Sequence, residues 1–122
     1  MSDPRLSIRP EVPTEDIEST AAERFQNATL RPVLKMQNDL LVAVFRHFME
    51  KRKLRFDEMD ERQRAAQIEH SLSKDKRLRF QLLGLIIGQF TTKEYAAYLS
   101  MEREAVRRIS SMMVERLKDQ LV

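Results

Sequence analysis

The sequence predicts an all-α protein: a compact helical bundle of about five helices with a disordered or extended N-terminal arm. Three observations carry this. Only two glycines and four prolines occur in 122 residues, and three of the prolines crowd the start at Pro4, Pro10 and Pro13. The rest is rich in Leu, Met, Ala, Glu, Lys, Arg and Gln, the strong helix formers. From Leu30 to Leu121 apolar residues recur at steps of three and four, and the alternation that marks a half-buried strand is missing. The length suits one domain in the usual range of roughly 100 to 200 residues, with an arm over 1–13 and a single helical domain over 14–122. A chain of this size buries about two thirds of its unfolded surface without metals or disulfides.

The elements follow in order. Residues 1–13 carry prolines among charged and small polar neighbours, the composition of a flexible tail. Thr14 offers an N-cap, with Glu15 and Asp16 suited to the positive end of the helix dipole and Ile17, Ala21 and Phe25 at helical spacing. A second helix is expected from Leu30 to Lys53, with Leu30, Val33, Leu34, Leu41, Val44, Phe45 and Phe48 on its apolar face. With Thr29 as its cap, Pro32 falls in the first turn, where its missing N–H costs nothing. Alternatively these two helices are one, kinked at Pro32. Lys51, Arg52 and Lys53 place cations at the negative end.

Asp60 with Gln63 forms a capping box ahead of a surface helix whose narrow stripe is Ala65, Ile68 and Leu72. Asp75 caps a helix holding Leu78, Leu82, Leu83, Leu85, Ile86, Ile87 and Phe90, apolar nearly all round and so expected to be buried on several sides. Thr91 with Glu94 is a second capping box, opening a short helix with Tyr95, Ala96, Tyr98 and Leu99. Ser100 is the expected cap of a last helix lined by Val106, Ile109, Met113 and Leu117.

Several function classes find no residues. Without cysteine there is no thiolate nucleophile, cysteine zinc site or disulfide. His47 and His70, the two histidines, have no partner at a ligand spacing, so no metal site and no cofactor are expected; His47 with Glu50 reads as a solvated contact. Ser110 and Ser111 lack a glycine elbow and a base, and neither glycine lies in a phosphate-cradling loop. No catalytic constellation is visible, and the chain reads as a non-enzyme. The start, Met1-Ser2-Asp3-Pro4-Arg5, shows no secretory pattern, so a cytoplasmic location is expected. The longest apolar run, Leu82 to Phe90, is broken by Gly84, Gly88 and Gln89 and falls short of the ~20 residues of a bilayer span.

Charge is uneven. Residues 1–30 hold three basic and six acidic side chains, whereas residues 31–122 hold the other nineteen basic and thirteen acidic ones, a balance of plus six. Such an excess raises encounter rates with anionic partners. Thr91 to Ile109 resembles a helix-turn-helix in spacing: Ala96 would pack in the first helix, Leu99 and Met101 fill the turn, and Val106 and Ile109 anchor the second helix. That leaves Arg103, Arg107 and Arg108 as candidate nucleic-acid contacts, with Glu104 beside them. Ser100 stands where such turns favour glycine, Glu102 and Glu104 add repulsive charge, and an ordinary helical hairpin uses the same apolar residues.

Gly84 and Gly88 lie four apart in the most apolar helix, where each costs about 1 kcal/mol relative to alanine. Close packing against a helix of this chain or a second copy is expected of Gly84. Termination of the helix in the left-handed C′ conformation is expected of Gly88. The seven methionines read as adaptable packing first and as a permissive contact surface second.

The segments from Phe25 to Leu41 and from Gly84 to Thr91 resemble those of a family of small, uncharacterised, all-helical bacterial proteins, over roughly Phe25 to Leu117. The resemblance implies one helical domain and supplies no site residues. Some members carry the label "glyoxalase", an activity of strand-rich folds with histidine and glutamate metal ligands, which this chain does not show. The expected function is a protein-interaction or self-associating module, with a homo-oligomer as partner; the alternative is a nucleic-acid-binding regulator using residues 91–109.

Overall fold

The computed structural model describes residues 3–12 and 20–122, and all regular structure among them is helical. The expected cap at Thr14 and the apolar position Ile17 lie outside the described residues. Five helices of nine residues or more form the bundle: α4 (Asn38–Lys51), α5 (Glu61–Lys74), α6 (Lys76–Ile87), α7 (Thr92–Ser100) and α8 (Glu102–Leu121). Shorter pieces precede them: α1 (Pro4–Ser7), α2 (Ala21–Phe25) and α3 (Arg31–Met36).

The arm differs from expectation. Residues 3–12 are tied down: α1 starts at an Asp3 cap, the Arg5 guanidinium donates to the Phe90 carbonyl at 2.6 Å, and Arg9 reaches Glu94 and the Gln89 carbonyl. Two arginines bring the ordering contacts that a proline-rich segment cannot supply from its own backbone.

The second correction concerns Pro32. The helix expected from Leu30 to Lys53 is interrupted at Gln37, which has φ −92° and ψ 6° and donates its side-chain amide to the Leu85 carbonyl. Upstream, the chain is helical without a break from Ala21 to Met36, through a π-helical turn at Gln26–Leu30. There the Arg31 N–H bonds to the carbonyl of Gln26. The expected alternative of one helix thus holds, and this wider turn accommodates Pro32, whose ring crowds the preceding turn of a regular helix. Thr29 therefore caps nothing; it lies buried inside the π turn and its hydroxyl donates to Glu94 at 3.0 Å.

The other caps form as their sequences require. Asp60–Gln63 and Thr91–Glu94 are reciprocal capping boxes, and Asp75 accepts from the Leu78 N–H. Ser100 is not a cap: α7 runs through it, and the junction to α8 is Met101 alone, at φ −139° and ψ 35°.

The core is centred on α8, which buries Ala105, Ile109, Met113, Leu117 and Leu121 at four-residue steps and packs against α4, α5 and α6. Leu41, Phe45, Phe48 and Met49 of α4 and Leu78, Leu82, Leu83 and Ile86 of α6 close on it, with Ile68 and Leu72 of α5. Edge-on ring pairs, Phe25–Phe90 at 5.6 Å and Phe45–Phe56 at 5.5 Å between centroids, belong to the same core. No described helix is long and apolar enough to cross a membrane.

Candidate functional site

Burial on several sides was expected of α6, and one face of it is open. Phe80, Gly84 and Gly88 follow at steps of four and so share a helical stripe. Phe80 is 63% exposed, and both glycines are exposed. The stripe borders a groove of about 500 Å³ walled by Leu83, Ile87, Tyr98 and Val106 of α6, α7 and α8. The expected close packing at Gly84 is absent within the chain: a Cβ there would meet nothing within 4 Å. Gly88 ends the helix as expected but with φ −61° and ψ −15°, not in the left-handed conformation. What requires glycine is the Gly84 carbonyl, 2.8 Å from where a Cβ at position 88 would stand.

The groove is apolar at its centre and charged at its edge. Arg79 and Glu102 both line it, and neither takes part in a salt bridge among the described residues. The Arg79 guanidinium lies 5.7 Å from the Phe80 ring centroid, a cation–π contact. Burial, with the negative charge of Glu102 and the neighbouring Tyr95, pushes the Tyr98 hydroxyl above the ordinary tyrosine pKa, so it remains a neutral donor. Tyr95 stacks on Tyr98 at 5.8 Å and is itself 45% exposed, extending the apolar surface along α7.

The helix-turn-helix packing expected over 91–109 is only half formed. Ile109 is buried, Val106 half-buried, and Met101 is half-buried against the core, but Ala96 is exposed and Leu99 is 49% exposed. With one linking residue and only Tyr98 of α7 buried, the pair is a tight corner. Arg103 and Arg107 are exposed. Arg108 is engaged inside the chain, donating to Gln26 at 2.6 Å and to Glu104 at 2.9 Å.

No group of three or more His, Asp or Glu side chains that could hold a metal ion occurs among the described residues. His47, Glu50 and His70 are all exposed. Ser110 lines the groove, with no histidine there to act as its base. Phe80 was the feature missed from sequence, although its spacing from Gly84 places it on the glycine face. Comparison with protein-family models, with curated proteins and with solved structures gives no significant match.

Proposed function

We propose that this chain is a self-associating module whose α6 faces pair antiparallel about a two-fold axis, the Phe80 ring of each copy seated in the glycine recess of the other. One observation carries the reading: a protruding aromatic ring and a recess that nothing in the chain fills lie on the same helical stripe. A two-fold contact needs a self-complementary patch, and a knob one turn from a hole is one. The charges fit too, since unpaired Arg79 and Glu102 on one groove supply two reciprocal pairs across such an axis. Burying Phe80 contributes about 2–3 kcal/mol, and small residues let two helix backbones approach.

Light scattering across a concentration series tests this. The expected result is twice the 14.4 kDa chain mass, reduced to the single-chain mass by Phe80→Glu and by Gly84→Leu, which fills the recess. Arg79→Glu and Glu102→Arg should each weaken association and together restore it. A wild-type mass of one chain at millimolar concentration, or a dimer indifferent to Phe80→Glu, refutes the proposal.

The nucleic-acid alternative retains Arg103 and Arg107 as exposed cations outside any salt bridge among the described residues. Its measurement is a duplex titration at low salt, where binding must weaken steeply with ionic strength and fall in Arg107→Ala.

A further inference from the structure

Away from the α6 face, a second cleft of about 600 Å³ lies between the π turn, α3, the start of α4 and the C-terminal half of α8. It is polar, and three cations and three acids share its wall. Arg31, Lys35 and Arg116 line it, and none of them joins a salt bridge among the described residues. The acids on the cleft, Asp39, Glu115 and Asp119, are all exposed, whereas Arg116 is half-buried. Arg116, the most enclosed of these ions, has no carboxylate within salt-bridge distance among the described residues, so its guanidinium is open to an incoming anion.

The hydrogen bonds leave donors free. Arg116 gives one N–H to the Asn38 Oδ1 at 3.3 Å, and Arg31 gives its Nε–H to Asn27 at 2.9 Å. The remaining guanidinium N–H groups of both, and the Lys35 ammonium, find no acceptor among the described residues. Arg108 occupies the Gln26 Oε1 at 2.6 Å, which leaves the amide NH₂ of Gln26 as a further donor on the cleft wall. Asn38 and Gln120 fix each other reciprocally, at 2.7 and 2.8 Å, which positions the Asn38 Oδ1 that accepts from Arg116. Burial, and next the positive charge of Arg31, lower the Arg116 pKa, so the two guanidinium groups repel each other with only Asp119 opposing.

We propose that this cleft binds the phosphate group of a small phosphorylated molecule, gripped by Arg31, Arg116 and Lys35 with the Gln26 amide as a neutral donor. Two planar guanidinium forks and an ammonium match a dianion with three terminal oxygens better than a carboxylate, which one fork satisfies. The cleft exceeds a bare ion, so a phosphate carried on an organic body is the ligand class. The site is separate from the α6 face and stands or falls independently of self-association.

The test is NMR titration of the full chain with inorganic phosphate and with ribose 5-phosphate at low salt, following the arginine Nε–Hε signals. Saturable shifts of Arg31 and Arg116, larger affinity for the sugar phosphate, and unmoved Arg103 and Arg107 signals are expected. Arg31→Gln, at an exposed position that leaves the core intact, should weaken binding about tenfold, with Arg116→Gln at least as severe and Arg116→Lys intermediate. No saturation by either compound, shifts spread equally over all exposed arginines, or unchanged affinity in Arg31→Gln overturns the proposal. A short DNA duplex that binds while ribose 5-phosphate does not also overturns it, by assigning the cations to a nucleic-acid backbone.

Discussion

Replacing Arg9 by alanine should release residues 3–12 and cost about 1–2 kcal/mol, a figure set by two opposing effects. Arg9 is 6% exposed at its side chain and Glu94 15%, and the pair is bidentate, with Nη1 to Oε2 at 2.5 Å and Nη2 to Oε1 at 2.7 Å. Removing one member of a buried pair costs about 3–5 kcal/mol when the other charge stays buried. Here it does not stay buried. Residues 3–12 are held chiefly by Arg9 and Arg5, so loss of Arg9 lets the segment leave, water reaches Glu94, and several residues regain about 1 kcal/mol each of chain entropy. The net loss is therefore bounded by the docking free energy of the segment, and Arg9→Ala should cost no more than deletion of residues 1–12. Thermal denaturation should show a Tm lower by roughly 3–10 °C, and hydrogen exchange should show fast amides over 3–12 with the α4 and α8 amides still protected. In a double-mutant cycle with Glu94→Gln, which keeps the α7 capping bond, a coupling of about 1 kcal/mol or more is expected. An unchanged Tm, or strictly additive effects, refutes the latch.

The same pair sets an acid dependence. Burial alone would raise the Glu94 pKa, but hydrogen bonds from Arg9, the Thr91 N–H and the Thr29 hydroxyl, together with the Arg9 charge, hold it below the ordinary carboxylate value. A carboxylate whose folded pKa is depressed contributes stability that is fully present above its unfolded pKa, roughly 4.3, and that is lost as pH falls through the folded value. The stability gap between wild type and Arg9→Ala should therefore hold at neutral pH and narrow below about pH 4.

Two further outcomes follow from backbone geometry. In the Phe80→Glu background, Gly84→Ala should raise stability by up to about 1 kcal/mol in urea denaturation, because its Cβ enters open space, whereas Gly88→Ala should lower it by about 1–2 kcal/mol through collision with the Gly84 carbonyl; equal effects would contradict this geometry. Lys53 is the only described non-glycine residue with positive φ, at 59°, and it is exposed, so Lys53→Gly should raise Tm by the equivalent of about 0.5–1 kcal/mol, and a fall in Tm would mean that the Lys53 side chain makes a contact outweighing its strain.

Much of the fold was legible in short-range pattern, because helical periodicity and capping are local. Thr91–Glu94, Asp60–Gln63 and Asp75 declare their helices within four residues, and the buried positions of α8 follow one residue ladder. What was illegible depends on partners far along the chain. The Arg9 latch closes over 85 residues and the Arg108–Gln26 bond over 82, and nothing in a proline-rich start marks two of its arginines as anchors. The π turn was hidden for a related reason: Thr29 before Pro32 suits a capped helix start equally well, and its hydroxyl is turned instead to Glu94, 65 residues away. The α6 stripe misled because apolar residues all round a helix signal burial without saying by which chain. The cleft of Arg31 and Arg116 joins positions 85 apart in number, so neither could be singled out from its neighbours.

The open α6 face also bears on why the chain tolerates its own composition there. In a helix whose Leu78, Leu82, Leu83 and Ile86 already meet the core, a monomer would be more stable with alanine at position 84, where a Cβ has room, and with a charged residue in place of the largely exposed Phe80. The glycine costs about 1 kcal/mol of helix propensity, and the exposed ring leaves unburied an apolar area worth about 2–3 kcal/mol. Inside the chain the Phe80 ring meets the Arg79 guanidinium at 5.7 Å, and the place of a Gly84 Cβ is empty. Both costs are recovered together if a second α6 approaches, since the missing Cβ becomes room for the ring, whereas a partner that covers Phe80 alone leaves the Gly84 cost unexplained. Gly88 is different, because the Gly84 carbonyl demands it in the isolated chain. Gly84 is therefore the position at which the stability of one chain and the association of two should move in opposite directions on substitution.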